Sequence, residues 1–405
     1  MSKILLAWEL GGDYGHLSRL IPVARELAAR GHEPVFALRE LISGESLLGP
    51  HGFKWHQAPV WLGRVTNIPD MQGYAEMLMH FGFLNPPALM GICRAWRNLV
   101  DVLAPDMIVL DHSPTGLLAT RGLGLPRMNL GTGFFMPPKT RPMPPFRWWL
   151  KANRARLEDS EEKVRQVANE ILFRLEAPPL AALRELTECD ADLLCCFDET
   201  DHYPDRAGGE YVGPVFSLGR GGIPGWPQWE GKRVFAYLKP DYPGLEKVLE
   251  ALRDSQCAVL AHVPGLARKT IQSYSTQQMA FSEVPVDIEA ARTECNVAVG
   301  HAGIGTTTAM LLAGKPMLLL PMHTEQTMFA HRVRQMGAAE VLLPAGINTF
   351  ARQLKKVLAS EEAASAARKF AERHAGYNQH STVMKIADRC ESLVGLRRDH
   401  TSGAG

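Results

Sequence analysis

HAGIGTTTAMLLAGKPMLLLPMHTEQ, residues 301–326, decides the reading of the chain. Ahead of it Asn296 to Gly300 form an apolar strand. His301 to Gly305 then make a glycine-containing turn, and Thr306 to Thr308 bring hydroxyls to the start of a helix that runs through Leu311 and Leu312. Such a turn suits an anion, because glycines let the backbone approach closely and the open amides of a helix start carry partial positive charge. His301 adds a possible donor. An ordinary strand-to-helix turn with threonine caps has the same appearance, and many α/β proteins contain one. Further on, Gly314 to Pro316 form a second turn, Met317 to Leu320 a second buried strand, and Pro321 leads to Glu325 and Gln326 at another helix start. A ligand here could touch two successive strand ends.

Two nucleotide motifs are excluded. Gly314 and Lys315 are followed by Pro316, where a P-loop requires Ser or Thr, and Gly11, Gly12 and Gly15 do not spell the dinucleotide fingerprint. The segment from His301 to Gln326 instead resembles the donor-binding half of the UDP-glycosyltransferase family (glycosyltransferase family 1, bacterial-type members), whose fold is GT-B. The resemblance implies that His301, Gly303, Gly305 and Thr306 hold a donor diphosphate, that Glu325 and Gln326 bind sugar hydroxyls, and that Val284 with Pro285 brackets the nucleobase.

The amino-terminal segment supports the same reading. Ile4 to Trp8 is a short apolar strand, followed by GGDYGH and by a helix with Leu20, Val23, Ala24 and Leu27 on one face. Gly31 is placed to end that helix, and Pro34 to Leu38 reads as the next strand, making a βαβ beginning. The run from Gly15 to Phe36 resembles the family's first segment, in which a histidine is the general base; the matching residue is His16. A helix-capping or packed histidine is the alternative. A histidine base needs a partner to orient it and to stabilise its protonated form. Asp111 is the candidate: it ends the strand Met107 to Leu110, at the carboxyl edge where open α/β sheets place ligands, and it matches the family's aspartate. It could equally cap the helix that starts near Ser113.

Composition agrees with two domains. The 405 residues suit two units of about 200 residues each. With 46% hydrophobic residues there is enough to bury two cores, and a formal net charge of +1 gives no reason to expect nucleic acid. Seven cysteines without CxxC spacing argue against a disulfide framework or zinc cluster; Cys195 and Cys196 read as buried strand residues. No signal-peptide core or membrane-length apolar run is visible, so a cytoplasmic location is expected. The glycine- and proline-rich stretch 215–232 reads as a linker between an acceptor domain, 1–214, and a donor domain, 233–376. Strands at Val234–Leu238, Cys257–Val263, Ala280–Val284 and Val297–Gly300 repeat the alternating plan of the first half, so two Rossmann-like parallel sheets facing across a cleft are expected. Family resemblance implies that the helix within 377–396 packs back on the first domain. A disordered tail is expected from Arg397.

Acceptor specificity is expected in 59–83 and 134–174, where no motif is recognisable. FRWWLKANRARL, Phe146 to Leu157, reads as a core-facing helix with a basic side, or as a peripheral membrane contact for a lipid-linked acceptor. The expected activity is inverting, metal-independent transfer of a hexose from a UDP- or dTDP-sugar to a small-molecule or lipid-linked hydroxyl acceptor, with no cofactor besides the donor substrate. Asp190 and Asp192 spell DxD but read as the start of a strand, not as a metal site. Three positions depart from the family pattern: Ala309, where many members have a glutamate for the ribose; Leu238 to Pro240, where a Gly-Ser turn is common; and Arg19, where proline is common. Gly15, His16 and Arg19 also spell the GHxxR of a nucleotide-sugar hydrolase of the same fold. Hydrolysis, or a nucleotide-binding protein without turnover, is therefore the alternative.

Overall fold

The computed structural model describes residues 1–12, 15–63, 65–66, 68, 70–216 and 221–402, with side chains described as far as residue 396. Asp13 and Tyr14 of the GGDYGH run, 217–220 of the expected linker, three positions of the 59–83 segment and the last three residues lie outside the described residues. The chain divides into two compact units, Met1–Val215 together with Asn378–Gly405, and Phe216–Tyr377.

The first unit is built on seven parallel strands: β1 (Lys3–Trp8), β2 (Glu33–Leu38), β3 (Lys54–Gln57), β4 (Met107–Asp111), β5 (Arg127–Gly131), β6 (Ala191–Leu194) and β7 (Glu210–Tyr211), in the order β3-β2-β1-β4-β5-β6-β7. Ile4 to Trp8 and Met107 to Asp111 are buried throughout, as expected of strands covered by helices on both faces. β3 escapes sequence reading because KWHQ lies at the sheet edge, is nowhere buried, and has no apolar run. The second unit has six parallel strands: β8 (Arg233–Tyr237), β9 (Ala258–His262), β10 (Met279–Ser282), β11 (Val297–Gly300), β12 (Met317–Leu319) and β13 (Ala339–Val341), in the order β10-β9-β8-β11-β12-β13. Each sheet thus reverses its winding direction once, between β1 and β4 and between β8 and β11. At such a point the flanking connections diverge and leave the carboxyl ends of the two strands open, which is where doubly wound sheets bind ligands.

The last helix, Gln379–Ser402, belongs to the first unit. Val383, Ile386, Ala387, Cys390, Leu393 and Val394 recur at helical spacing and join the core around β1 and the helix Gly15–Ala29. Arg30 bonds Asp388 and Glu391, His32 bonds Glu391, and the Thr382 hydroxyl donates to the carbonyl of Val212. The helix continues through Ser402, past Arg397 where the sequence suggested a tail.

Two local expectations are corrected. Phe146 to Leu157 is not one helix: Asn153 caps a helix that begins only at Arg154, accepting from the amide of Arg156, while Phe146 is buried and Trp148 and Trp149 meet edge to face. The side chain of Asn153 satisfies an amide that a helix entering from upstream would have bonded itself. Cys195 and Cys196 are buried but lie just beyond β6.

The packing of the last helix leads to a test. Ile386 is fully buried, so Ile386→Ala should cost about 2–5 kcal/mol in urea unfolding of the first unit. Arg30→Ala, which breaks ion pairs with the exposed Asp388 and Glu391 and with the more covered Glu26, should cost about 1 kcal/mol. Equal effects would show that the ion pairs, not the apolar stripe, hold the helix.

Candidate functional site

The reversal between β1 and β4 gathers His16, Arg19 and Asp111. β1 and β4 are neighbours in register, with Trp8 opposite Asp111, so the end of β4 lies beside the helix that follows β1. His16 and Arg19 are three residues apart in that helix and therefore share a face. His16 Nδ1 lies 2.9 Å from Asp111 Oδ1, and an Arg19 guanidinium N–H donates to Oδ2 at 2.7 Å. Asp111 is 0% exposed and His16 9%. Burial opposes ionisation of Asp111, yet the charge of Arg19 and the contact with His16 outweigh it and hold the carboxyl below its usual range. An ionised carboxylate only accepts, so Nδ1 carries a proton, and in the neutral tautomer Nε2 is the nitrogen with the lone pair. The imidazole is stacked on Trp8, with centroids 5.2 Å apart and planes at 17°.

Nε2 faces Gly11, whose φ of 94° disfavours any other residue; a Cβ there would collide with Nε2. Next to Asp111 stands His112, at φ 48°, stacked on Phe135 at 4.7 Å and 6.1 Å from the His16 ring. Burial first, and the neighbouring His16 second, push its imidazole down to about 3. A left-handed non-glycine residue and a buried ring nitrogen without a described partner, Nε2, each cost on the order of 1–3 kcal/mol. The surrounding packing therefore has to hold this turn.

Glu9 is part of that packing. It is fully buried at the end of β1, and its Oε2 accepts from the amides of Thr115 and Gly116, the first turn after Asp111. The Leu10 amide donates to the His112 carbonyl at 3.0 Å, and the Ser113 hydroxyl donates to the Ala7 carbonyl. Burial pushes the Glu9 carboxyl up to about 8 against these hydrogen bonds.

In the second unit His301 follows β11, but its ring is already engaged. Nδ1 lies 2.8 Å from the Leu320 carbonyl, and Nε2 accepts from the Lys239 amide at 2.8 Å. The histidine thus ties the ends of β8, β11 and β12, with Tyr242 at 5.0 Å over its ring and burial lowering its pKa. The left-handed position of the turn is taken by Ala302, φ 58°, and not by a glycine. Gly303 is the N-cap of the helix Ile304–Leu312 and supplies no side-chain cap; a Cβ there would meet nothing within 4 Å. Gly305 and Thr306 lie in the first turn of that helix. Glu325 and Gln326 open the helix Thr324–Gln335, and Gln326 Oε1 accepts from the Met322 amide, which leaves its NH₂ group for other partners. Val284 lies beyond β10, not within a strand, and is 57% exposed. Ala309 is fully buried, so that position offers nothing to a ribose. Asp190 accepts from the Arg127 amide, and Asp192 pairs with Lys139 and Asn129.

Of these residues, Glu9, Gly11 and His112 were missed as site residues by sequence reading, while Phe135 lies in the 134–174 segment read only for acceptor specificity. A signal existed for Glu9: a carboxylate at the end of an all-apolar strand must be either bonded or neutral. Nothing local distinguishes His112, whose neighbours come from the loop after β5, from Leu10 and from the helix after β1.

Residues 247–388 match the family model of the glycosyltransferase family 28 C-terminal domain. That assignment differs from family 1, which the motifs resemble. The PGL/p-HBAD biosynthesis glycosyltransferase of Mycobacterium tuberculosis (strain ATCC 25177 / H37Ra) is 26% identical in a 416-residue alignment covering 93% of this chain and 91% of that protein. Among solved structures, CalG4, the calicheamicin glycosyltransferase, superposes with TM-score 0.70 at 18% identity, covering 97% of this chain and 98% of that one. Spinosyn rhamnosyltransferase SpnG complexed with thymidine diphosphate superposes with TM-score 0.65 at 16% identity, covering 96% and 100%.

Glu9 offers a test that needs no substrate. Its folded pKa of about 8 lies above the ordinary 4.5, so folding takes up a proton; the stabilisation is complete below about 4.5 and is lost as pH rises through about 8. Between those values the wild type should lose up to about 1.4 kcal/mol of stability per pH unit relative to Glu9→Gln. Urea unfolding of both at pH 5, 7 and 8.5 measures this, and parallel profiles would mean that Glu9 is ionised in the folded chain. The fold is GT-B, and the chain is an enzyme of the glycosyltransferase class.

Proposed function

We propose that the chain is an inverting, metal-independent glycosyltransferase that moves a hexose from a UDP- or dTDP-sugar to a hydroxyl acceptor. The observation that carries the reading is the buried His16–Asp111 pair with Nε2 left as the basic atom. Nε2 takes the proton of the acceptor hydroxyl as its oxygen attacks the anomeric carbon, and the sugar–phosphate bond breaks with its electron pair going to the nucleoside diphosphate. Asp111, kept ionised by Arg19, stabilises the imidazolium that forms. The uncapped first turn of the helix Ile304–Leu312 offers amides to the leaving diphosphate, and Glu325 with the NH₂ group of Gln326 offers sugar contacts.

Three further observations support the finer points. The carboxylates of Asp190 and Asp192 already serve Arg127, Lys139 and Asn129, which speaks for metal-independent transfer. Burial of Ala309 favours a deoxyribose donor, and a structural relative is described in complex with thymidine diphosphate. Arg19 is buried on Asp111, a placement that accounts for the GHxxR pattern without a hydrolytic water.

Release of nucleoside diphosphate from UDP-, dTDP- and GDP-sugars, with and without pooled acceptors, tests the reading. Release should require an acceptor and survive chelation. Full release in water alone would make the enzyme a hydrolase, and binding without release would make the chain a nucleotide-binding protein. Activity that is lost on chelation and restored by manganese would overturn metal independence.

The base assignment has its own test. His16→Ala should lower transfer by about 10²–10⁴-fold with donor affinity nearly unchanged. Gly11→Ala, which drives a methyl into Nε2, should do the same in a folded protein. Wild-type turnover in both variants would remove His16 as the base.

A further inference from the structure

The expectation that His301 binds the donor diphosphate conflicts with its hydrogen bonds. Nε2 accepts from the Lys239 amide, so it carries no proton, and the proton on Nδ1 is directed to the Leu320 carbonyl. The ring is therefore neutral and has no N–H left for a phosphate. Helix amides carry only partial charges, whereas the diphosphate of a nucleotide sugar carries two full ones. A neighbouring cation would complete the neutralisation.

β8 and β11 are paired so that Tyr237 lies opposite Gly300. Two residues beyond each, Lys239 and Ala302 follow the carboxyl ends of these strands, at the reversal point of the sheet. The Lys239 amide is pinned to the His301 ring, and Pro240 restricts the backbone that follows. Burial first, and the charge of Lys239 after it, hold the His301 imidazole low against the Leu320 hydrogen bond and Asp241, so the Lys239 charge is felt at this turn. The buried Tyr242 hydroxyl, on the ring that covers His301, has no described partner. Lys239 also stands where the sequence departs from the Gly-Ser turn of the resembling family.

We propose that Lys239 is the cation that neutralises the donor diphosphate, and that His301 is a positioning residue whose neutral ring holds the Lys239 backbone at the helix start. This rests on the reading of the second unit as the donor site. Lys239 binds the diphosphate as a point charge and adds no directional contact to the nucleobase.

Calorimetric titration of the full chain with UDP-glucose and dTDP-glucose, whose diphosphates do not titrate near neutrality, tests both parts. Lys239→Gln should weaken the two donors by the same factor, roughly ten- to hundredfold, because the lost contact is to their common diphosphate. Lys239→Arg should recover most of the affinity. The wild-type Kd should stay constant from pH 5.5 to 8, because no imidazolium is involved. Affinity of Lys239→Gln within twofold of wild type would overturn the assignment. So would a wild-type Kd that rises about tenfold through the histidine range, which would return the role to His301. Wild-type protein that binds neither donor would overturn the donor-site reading itself, an outcome distinct from a variant that binds as wild type does.

Discussion

The first unit depends on one buried carboxylate. Asp111 has no solvent to stabilise its charge, and it remains ionised because Arg19 and His16 reach it from one face of one helix. Removing either partner would leave a buried charge insufficiently compensated, a costly state in a low-dielectric interior. The same pair of contacts sets the His16 tautomer. Orientation of the imidazole and burial of the charge are thus a single constraint, satisfied only when β1, β4 and the helix after β1 are all in place.

That constraint explains why the surrounding turn is unusual. Gly11 must leave room for the imidazole, His112 is forced into a left-handed conformation, and Glu9 spends its carboxyl group on the amides that follow. These are local departures from good backbone and burial chemistry, concentrated around the His16–Asp111 pair. The second unit uses a different solution at its equivalent edge. There a neutral histidine joins three strand ends through two backbone hydrogen bonds, and alanine, not glycine, takes the left-handed position.

How much of this was legible before folding varied with the kind of signal. The apolar runs at Ile4–Trp8 and Met107–Leu110 are strands because burial on both faces demands continuous hydrophobicity, and that demand is visible in one dimension. The edge strand Lys54–Gln57 carries no such demand and was invisible. The stretch around Trp148 has helix-compatible residues throughout, yet Asn153 starts the helix later, since a side-chain cap competes with continuation of the backbone ladder.

The amino-acid sequence by itself determined the alternation of strand and helix and the glycine turns, because these depend on periodicity and residue type; it placed Asp111 at a strand end, while His16 entered as a candidate base through the family resemblance. Only the tertiary structure decided what each side chain does. Arg19 became the counter-ion of Asp111, Glu9 a buried clamp, and His301 a brace with both nitrogens occupied. The reason is physical: burial and hydrogen-bond partners come from strands that are distant in the chain, and the charge state and donor capacity of a side chain are properties of that environment, not of the residue alone.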